Sequence, residues 1–429
     1  MDYASRMAGA IVGCAALLSA SGVYAQDWPQ WRGPHRDAKV QGFKVPQTWP
    51  KELTQKWKVT VGTGDATPAL VGDKLYVFSR QGSDEVLRCL DATTGKEAWQ
   101  DKYPAPTVSG PASGHGGPRS SPAVADGKVV TLGVSGILSC YDAATGKKLW
   151  RKDEIQGYPR FYTSSSPIIV DGLCVAQLGG SSNGAIVAYD LATGNPKWKW
   201  TGDSPAYASP ALMTADGTKL VVAETQGKIV ALNAADGKEV WQAACNTKYN
   251  ASSPIIEGQT LIYTSSDGAK DVKLEKEGGG FAAKQQWNNK ENNVLYNTPV
   301  VKDGLIYGLS QTNQFFCIDA KTGKTLWTAS AATAAAAAPP AGGAPGGQGA
   351  RRGGRGGMGG GYGSIVDAGS VLLALTPSMQ LIVFAPSDKE FKPLANYKVA
   401  ATGTYAYPVV SGNRIWIKDQ DSVTLWTVE

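Results

Sequence analysis

Five segments of this 429-residue chain are near-copies of one another: CLDATTGKEAW ending at Trp99, YDAATGKKLW at Trp150, AYDLATGNPKW at Trp198, ALNAADGKEVW at Trp241 and CIDAKTGKTLW at Trp327. Each has Asp or Asn, two freely chosen residues, Thr or Asp, then Gly, and shortly afterwards a Trp. This is tight-hairpin chemistry: the Asx side chain caps N–H groups of the turn, and Gly supplies the positive φ that the reversal needs. A unit repeating at this period fixes the architecture, because each copy buries its apolar face only against its neighbours.

With Trp as a ruler, anchors fall at Trp57, Trp99, Trp150, Trp198, Trp241, Trp287 and Trp327, spaced 42, 51, 48, 43, 46 and 40 residues apart. That is the period of a four-stranded propeller blade. Tyr397 is the eighth anchor, because WKVTVGTGDATPALVGDKLYV from Trp57 aligns without a gap to YKVAATGTYAYPVVSGNRIWI from Tyr397. The gap before Tyr397 becomes ordinary once residues 329–361, rich in Ala, Gly, Pro and Arg, are set aside as an insertion expected to be disordered. Within each repeat a Pro opens the first strand (PALV, PAVA, PIIV, PALM, PIIE, PVVK, PVVS), where it costs no ladder bond. The chain ends on SVTLWTVE, a third strand with no hairpin after it. The expected fold is therefore all-β: an eight-bladed propeller of four-stranded antiparallel blades over 53–429, closed by the N-terminal strand at 53–59.

Cys89, Cys140 and Cys317 share one slot just before the turn Asp, where other copies have Ala188 and Ala231, and so read as small buried strand residues. Without a CxxC or adjacent cysteines, zinc and thiol redox chemistry have no support. With 2 histidines in the chain, histidine acid–base catalysis has little to draw on. The net charge of +6 includes Arg351, Arg352 and Arg355 of the insertion, which argues against a nucleic-acid surface. Residues 1–25 read as a secretory signal cleaved after Ala25, with IVGC at 11–14 offering a lipoprotein alternative through Cys14. No later segment is apolar enough to span a membrane. Residues 26–52 form a Trp-rich extension, in which Trp28, Trp31 and Arg32 are expected to pack on the outside of a blade.

The recurring D-x-x-T-G-K-x-x-W hairpin and its period resemble those of the PQQ-like β-propeller superfamily, which contains quinoprotein alcohol dehydrogenases and the BamB-type lipoprotein of outer-membrane assembly. DWPQWRGPHRDA, from Asp27, resembles the leader of secreted propellers of that superfamily. For the enzymes, the resemblance implies PQQ held over the channel mouth with a calcium ion on Glu, Asn and Asp, a catalytic Asp, and a disulfide between adjacent cysteines. This chain has no adjacent cysteines and is short for such an enzyme. Glu224, Asn250 and Asp267 are the weak candidates for oxygen ligands of calcium.

Strand alternation puts the uniform turns on one face and the variable loops on the other, where function is usually sited. The loops leading into the first strands carry His115, Arg119, Tyr162, Tyr207, Asn250, Tyr296, Asn297 and Tyr405, with Arg160 and Tyr249 beside them. These are the candidate channel-mouth residues. Such an aromatic and amide-rich rim suits a planar ligand, a sugar or a peptide, or simply lines a wet channel.

The seven Trp anchors are expected to dock each outer strand on its neighbour's hairpin, so that Trp241→Ala costs about 3–5 kcal/mol. The expected function is that of a non-catalytic periplasmic or secreted propeller: a monomeric, BamB-like scaffold with envelope protein partners, no nucleic acid and no cofactor. The alternatives are a dehydrogenase of alcohols or sugars using PQQ with calcium, and a carbohydrate-binding propeller.

Overall fold

The computed structural model describes residues 26–155, 157–245, 249–265, 268–331 and 360–429. The expected export signal with Cys14, most of the Gly/Arg-rich insertion and Asp267 lie outside the described residues. Every described sheet has four strands, and there are eight of them. Blades 1 to 7 run in chain order: Ala69–Pro104, Ala123–Lys152, Ile168–Trp200, Ala211–Ala244, Ile255–Asn289, Val300–Ser330 and Ser364–Lys398. Blade 8 takes three strands from Val409–Thr427 and its outermost strand from Thr54–Thr60, which pairs antiparallel with Ser422–Thr427. The expected closure by the N-terminal strand is what the chain adopts, and it gives the last blade its fourth strand like the other seven. Ala329 and Ser330, assigned above to the insertion, complete the outer strand of blade 6.

Burial rises inward along each sheet. The second and third strands of blade 1, Lys74–Gln81 and Asp84–Asp91, are buried almost throughout, whereas its outer strand Glu97–Pro104 alternates. Strands packed on both faces read as continuous apolar runs, and half-covered ones alternate. The repeated turns are built as the sequence implies: Asp142 Oδ1 accepts from Ala144 N, Thr145 N and Thr145 Oγ1, and Gly146 sits at φ 73°. These bonds hold the Asp142 carboxyl below its usual range, as they do at Asp91, Asp190 and Asp319.

A second device joins the blades near the axis. The backbone N–H of the residue before each opening Pro donates to the hydroxyl of the matching residue in the next blade. The run goes from Tyr407 to Thr67, then Ser121, Ser166, Ser209, Ser253 and Thr298, with bonds of 2.8–3.0 Å. The Ser/Thr-Pro pair that opens most blades is the sequence signature of this belt. Blade 7 lacks the pair and interrupts it, and the Ser364 hydroxyl there has no partner.

Residues 28–40 of the N-terminal extension, with Trp28, Trp31 and Arg32, do not pack on the outside of a blade; they fill the axis and touch all eight, and Trp49 and Pro50 then reach Tyr397 on the outer strand of blade 7. Trp28 and Leu70 of blade 1 exchange backbone bonds of 2.8 Å, and Val124 of blade 2 donates to Pro29 O. Arg36 donates to Pro167 O of blade 3 and to Pro210 O of blade 4. Lys39 pairs with Glu257 of blade 5, and Arg32 donates to Thr298 O and Pro299 O of blade 6 at 2.7 and 2.8 Å. Residues 38–40 bond both ways with Asp367 of blade 7. Arg32 also donates to the Tyr407 hydroxyl of blade 8 at 2.7 Å. The physical reason is supply and demand: a closed ring turns carbonyls toward its axis, and a guanidinium carries five donors in a fixed fork. Two buried arginines, Arg32 and Arg36, therefore satisfy carbonyls of several blades at once.

Candidate functional site

The hub closes the channel at one end, and Trp31 projects from it as the floor of a cup at the other, with Tyr407 edge-on at 5.8 Å. The cup encloses about 210 Å³. Its wall is a chain of rings. Tyr207 meets Phe161 (5.9 Å between centroids), Phe161 meets Tyr249 (5.2 Å), and Tyr249 stacks on Tyr296 (5.9 Å). Tyr296 stacks on Tyr362 (4.3 Å), Tyr362 meets Tyr405 edge-on (5.4 Å), and Tyr405 meets His115 (4.8 Å). Arg119 closes the circle by donating to Phe161 O and to His115 O, the latter at 2.8 Å. Burial lowers the basicity of this guanidinium, while Asp65 and nearby tyrosines work the other way. Burial likewise raises the Tyr207, Tyr296 and Tyr405 hydroxyls above the usual phenol range and Tyr362 further still, so these tyrosines are un-ionised at physiological pH. His115 Nδ1 lies 2.6 Å from Asp65 Oδ2, which orients the ring and leaves Nε2 without a hydrogen-bond partner among the described residues.

Six of the eight candidate mouth residues line the cup: His115, Arg119, Tyr207, Tyr296, Asn297 and Tyr405. Tyr162 and Asn250 do not, and the cause is backbone conformation. Both adopt positive φ, 65° and 46°, which turns their side chains away and leaves the preceding Phe161 and Tyr249 facing in. Tyr162 stacks on Tyr158, and its hydroxyl meets Ser109 at 3.1 Å. The Asn250 amide donates to Thr225 O, Gln226 O and Cys245 O, pinning the loop. Asn297 similarly donates to Leu309 O and Gly361 O. Trp31, Asp65, Phe161, Tyr362 and Tyr407 are among the lining residues that the sequence reading passed over. Phe161 and Tyr407 stand inside loops already singled out, whereas Tyr362 borders the insertion and Trp31 belongs to the leader.

The Trp anchors act at the seams. The indoles of Trp99, Trp150, Trp198 and Trp287 donate to Ala143 O, Leu191 O, Ala234 O and Ala320 O of the next blade at 2.7–3.3 Å. They cover Gly146, Gly194, Gly237 and Gly323 so closely that a Cβ on any of these glycines would lie 2.5–2.7 Å from the ring. Trp57 covers Gly95 in the same way, but its Nε1 has no partner, and Trp416 donates to Ala92 O of that blade instead. Trp327 donates to Ser387 O in blade 7, which has no copy of the hairpin. Trp241 departs from the scheme. It is half-buried, facing a blade 5 whose outer strands Gly268–Glu277 and Gly280–Asn289 form a long hairpin of different sequence. All five described cysteines, Cys89, Cys140, Cys174, Cys245 and Cys317, are buried and unpaired.

The two described calcium candidates, Glu224 and Asn250, do not meet in the cup lining. Glu224 is buried outside the cup lining with Oε1 unpartnered, and desolvation holds its carboxyl well above the usual range. The Asn250 amide nitrogen donates to three carbonyls, and the residue stands outside the cup lining. No group of three or more His, Cys, Asp or Glu suited to a metal occurs among the described residues. Glu224 and Asn250 thus form no calcium site at the cup, and Asp267 lies outside the described residues.

A sequence family described as outer membrane protein assembly factor BamB matches residues 47–210 and 84–329. The chain belongs to this family, within the PQQ-like propellers. BamB of Yersinia pestis is 24% identical over 284 residues, covering 64% of this chain and 60% of that protein. The match thus spans less than two thirds of that relative's length. The crystal structure of BamB from Moraxella catarrhalis superposes with a TM-score of 0.59 at 16% identity, covering 87% of this chain and 99% of that one. Quinohemoprotein alcohol dehydrogenase from Comamonas testosteroni superposes with a TM-score of 0.64 at 16% identity, covering 94% and 80%. Such likeness establishes the shared propeller alone. No helix among the described residues is long and apolar enough to cross a membrane.

Proposed function

We propose that this chain is a non-catalytic propeller of the cell envelope that presents its ring as a scaffold for protein partners, in the manner of outer-membrane assembly factors. The observation that carries this reading is that Glu224 and Asn250, two of the donors a calcium ion would need, stand outside the cup lining. Asn250 pins a loop, and Glu224 is enclosed outside the cup. The wide ring, stitched at its seams and filled at its axis, suits display of fixed loops rather than closure over a substrate. Export through residues 1–25 is part of the same reading.

The test combines two measurements on the mature protein. With PQQ and calcium added, no stoichiometric chromophore and no alcohol-dependent dye reduction are expected. From envelope fractions, the tagged protein is expected to co-purify with a defined protein partner after mild cross-linking. Bound quinone with turnover would overturn the scaffold reading in favour of a dehydrogenase.

A further inference from the structure

We propose that the cup binds one neutral pyranose, such as the terminal sugar of a glycan. This goes beyond the scaffold role, because a protein partner can dock on any part of the ring. Three observations carry it. First, the cup is a dead end, closed below by Trp31, and its volume of about 210 Å³ is smaller than the roughly 300–1,000 Å³ of sites that enclose drug-sized ligands. It accepts a single ring at the end of a chain, not a strand passing through. Second, its wall is aromatic, and the C–H faces of a pyranose are apolar surfaces that pack on such rings while the hydroxyls at the sugar's edge stay free.

Third, the polar groups left for a ligand match hydroxyls and not charges. Arg119 gives one N–H from each terminal nitrogen to Phe161 O and His115 O and lies in the field of Asp65, so its charge is offset within the wall. Asp65 is engaged by His115. What remains is His115 Nε2 and the hydroxyls of Tyr296 and Tyr405, none of which has a hydrogen-bond partner among the described residues. The two tyrosine hydroxyls can each donate and accept, and with Nδ1–H given to Asp65 the neutral His115 ring offers Nε2 as an acceptor, which together meet what a sugar hydroxyl requires. A peptide carboxylate or an ammonium would instead demand a free opposite charge within the cup.

The experiment is saturation-transfer NMR on the mature protein with methyl glucoside, methyl galactoside, methyl mannoside and N-acetylglucosamine, each at millimolar concentration. At least one should receive saturation on its ring protons. Its Kd should rise roughly tenfold in Tyr296→Ala and in Tyr405→Ala, the loss expected of one aromatic packing partner. Melting curves matching the parent would show that both variants fold. His115→Gln, which leaves the tyrosines in place, should weaken binding without abolishing it. Saturation transfer to none of the four sugars, binding unchanged in both tyrosine variants, or displacement of the sugar by a short tyrosine-rich peptide would each overturn the proposal. Partner capture from envelope fractions is a separate readout, so failure of the sugar site leaves the scaffold reading intact.

Discussion

Asp271 stands where the corresponding positions of other blades hold Cys89, Cys140, Ala188, Ala231 and Cys317, directly across from the anchoring Trp of the next strand. A carboxyl in that slot is out of place, and its Oδ1 has no partner. Desolvation raises it to about 6. Because the folded value lies above that of the unfolded chain, the folded state loses stability as pH rises from about 4 through about 6, and the penalty is complete above that. Asp271→Ala should therefore stabilise the protein at pH 7.5 by about 1–2 kcal/mol, after discounting for partial solvent screening. At pH 4 the gain should vanish. Urea melts of parent and variant at both pH values check this, and an equal gain at both would refute the desolvation argument. The buried cysteines make the complementary point at this scale, since burial pushes the Cys89 thiol up to about 11 and Cys140 to about 12, leaving them as inert packing groups.

At the scale of the element, each repeated hairpin serves two strands. Its Asx cap shapes its own turn, and its Gly gives the neighbouring Trp a flat seat, while in all but the Gly95 hairpin its carbonyl takes that indole's N–H. Trp198→Ala removes both contacts and should cost about 3–5 kcal/mol. Trp241→Ala should cost distinctly less, because this Trp is half-buried and faces a blade without the hairpin. Equal losses in denaturant unfolding would show that the seat is not what matters. This part of the fold was legible because its signal is periodic: Asp, Gly and Trp each answer a fixed local demand. Trp241 looked equivalent because the docking partner lies in the next repeat, where blade 5 changes its hairpin. The mouth was legible in the same partial way. Tyr207, Tyr296 and Tyr405 could be placed by strand alternation, whereas Tyr162 and Asn250 could not, because one positive φ reverses which neighbour faces the cup.

The whole molecule depends on contacts with no period at all. The hub was not legible in the sequence, because arginines that bond backbone carbonyls leave no complementary residue type to find. Its effect is nevertheless global, since Arg32 and Arg36 tie blades 3, 4, 6 and 8. Arg36→Ala would strand buried carbonyls of two blades and should cost about 2–4 kcal/mol. Calorimetry should record this as a lower melting temperature; an unchanged melt would mean that the axis contributes nothing to closure. Closure itself is the claim on which the positions of the seams, the hub and the cup rest. Hydrogen exchange with mass spectrometry on the purified protein tests it directly. If Thr54–Thr60 is the outer strand of the last blade, its ladder-bonded amides should be protected to the same degree as those of Ser422–Thr427. Exchange of 54–60 at the rate of free chain, with 422–427 still protected, would contradict a ring closed by its own N-terminal strand.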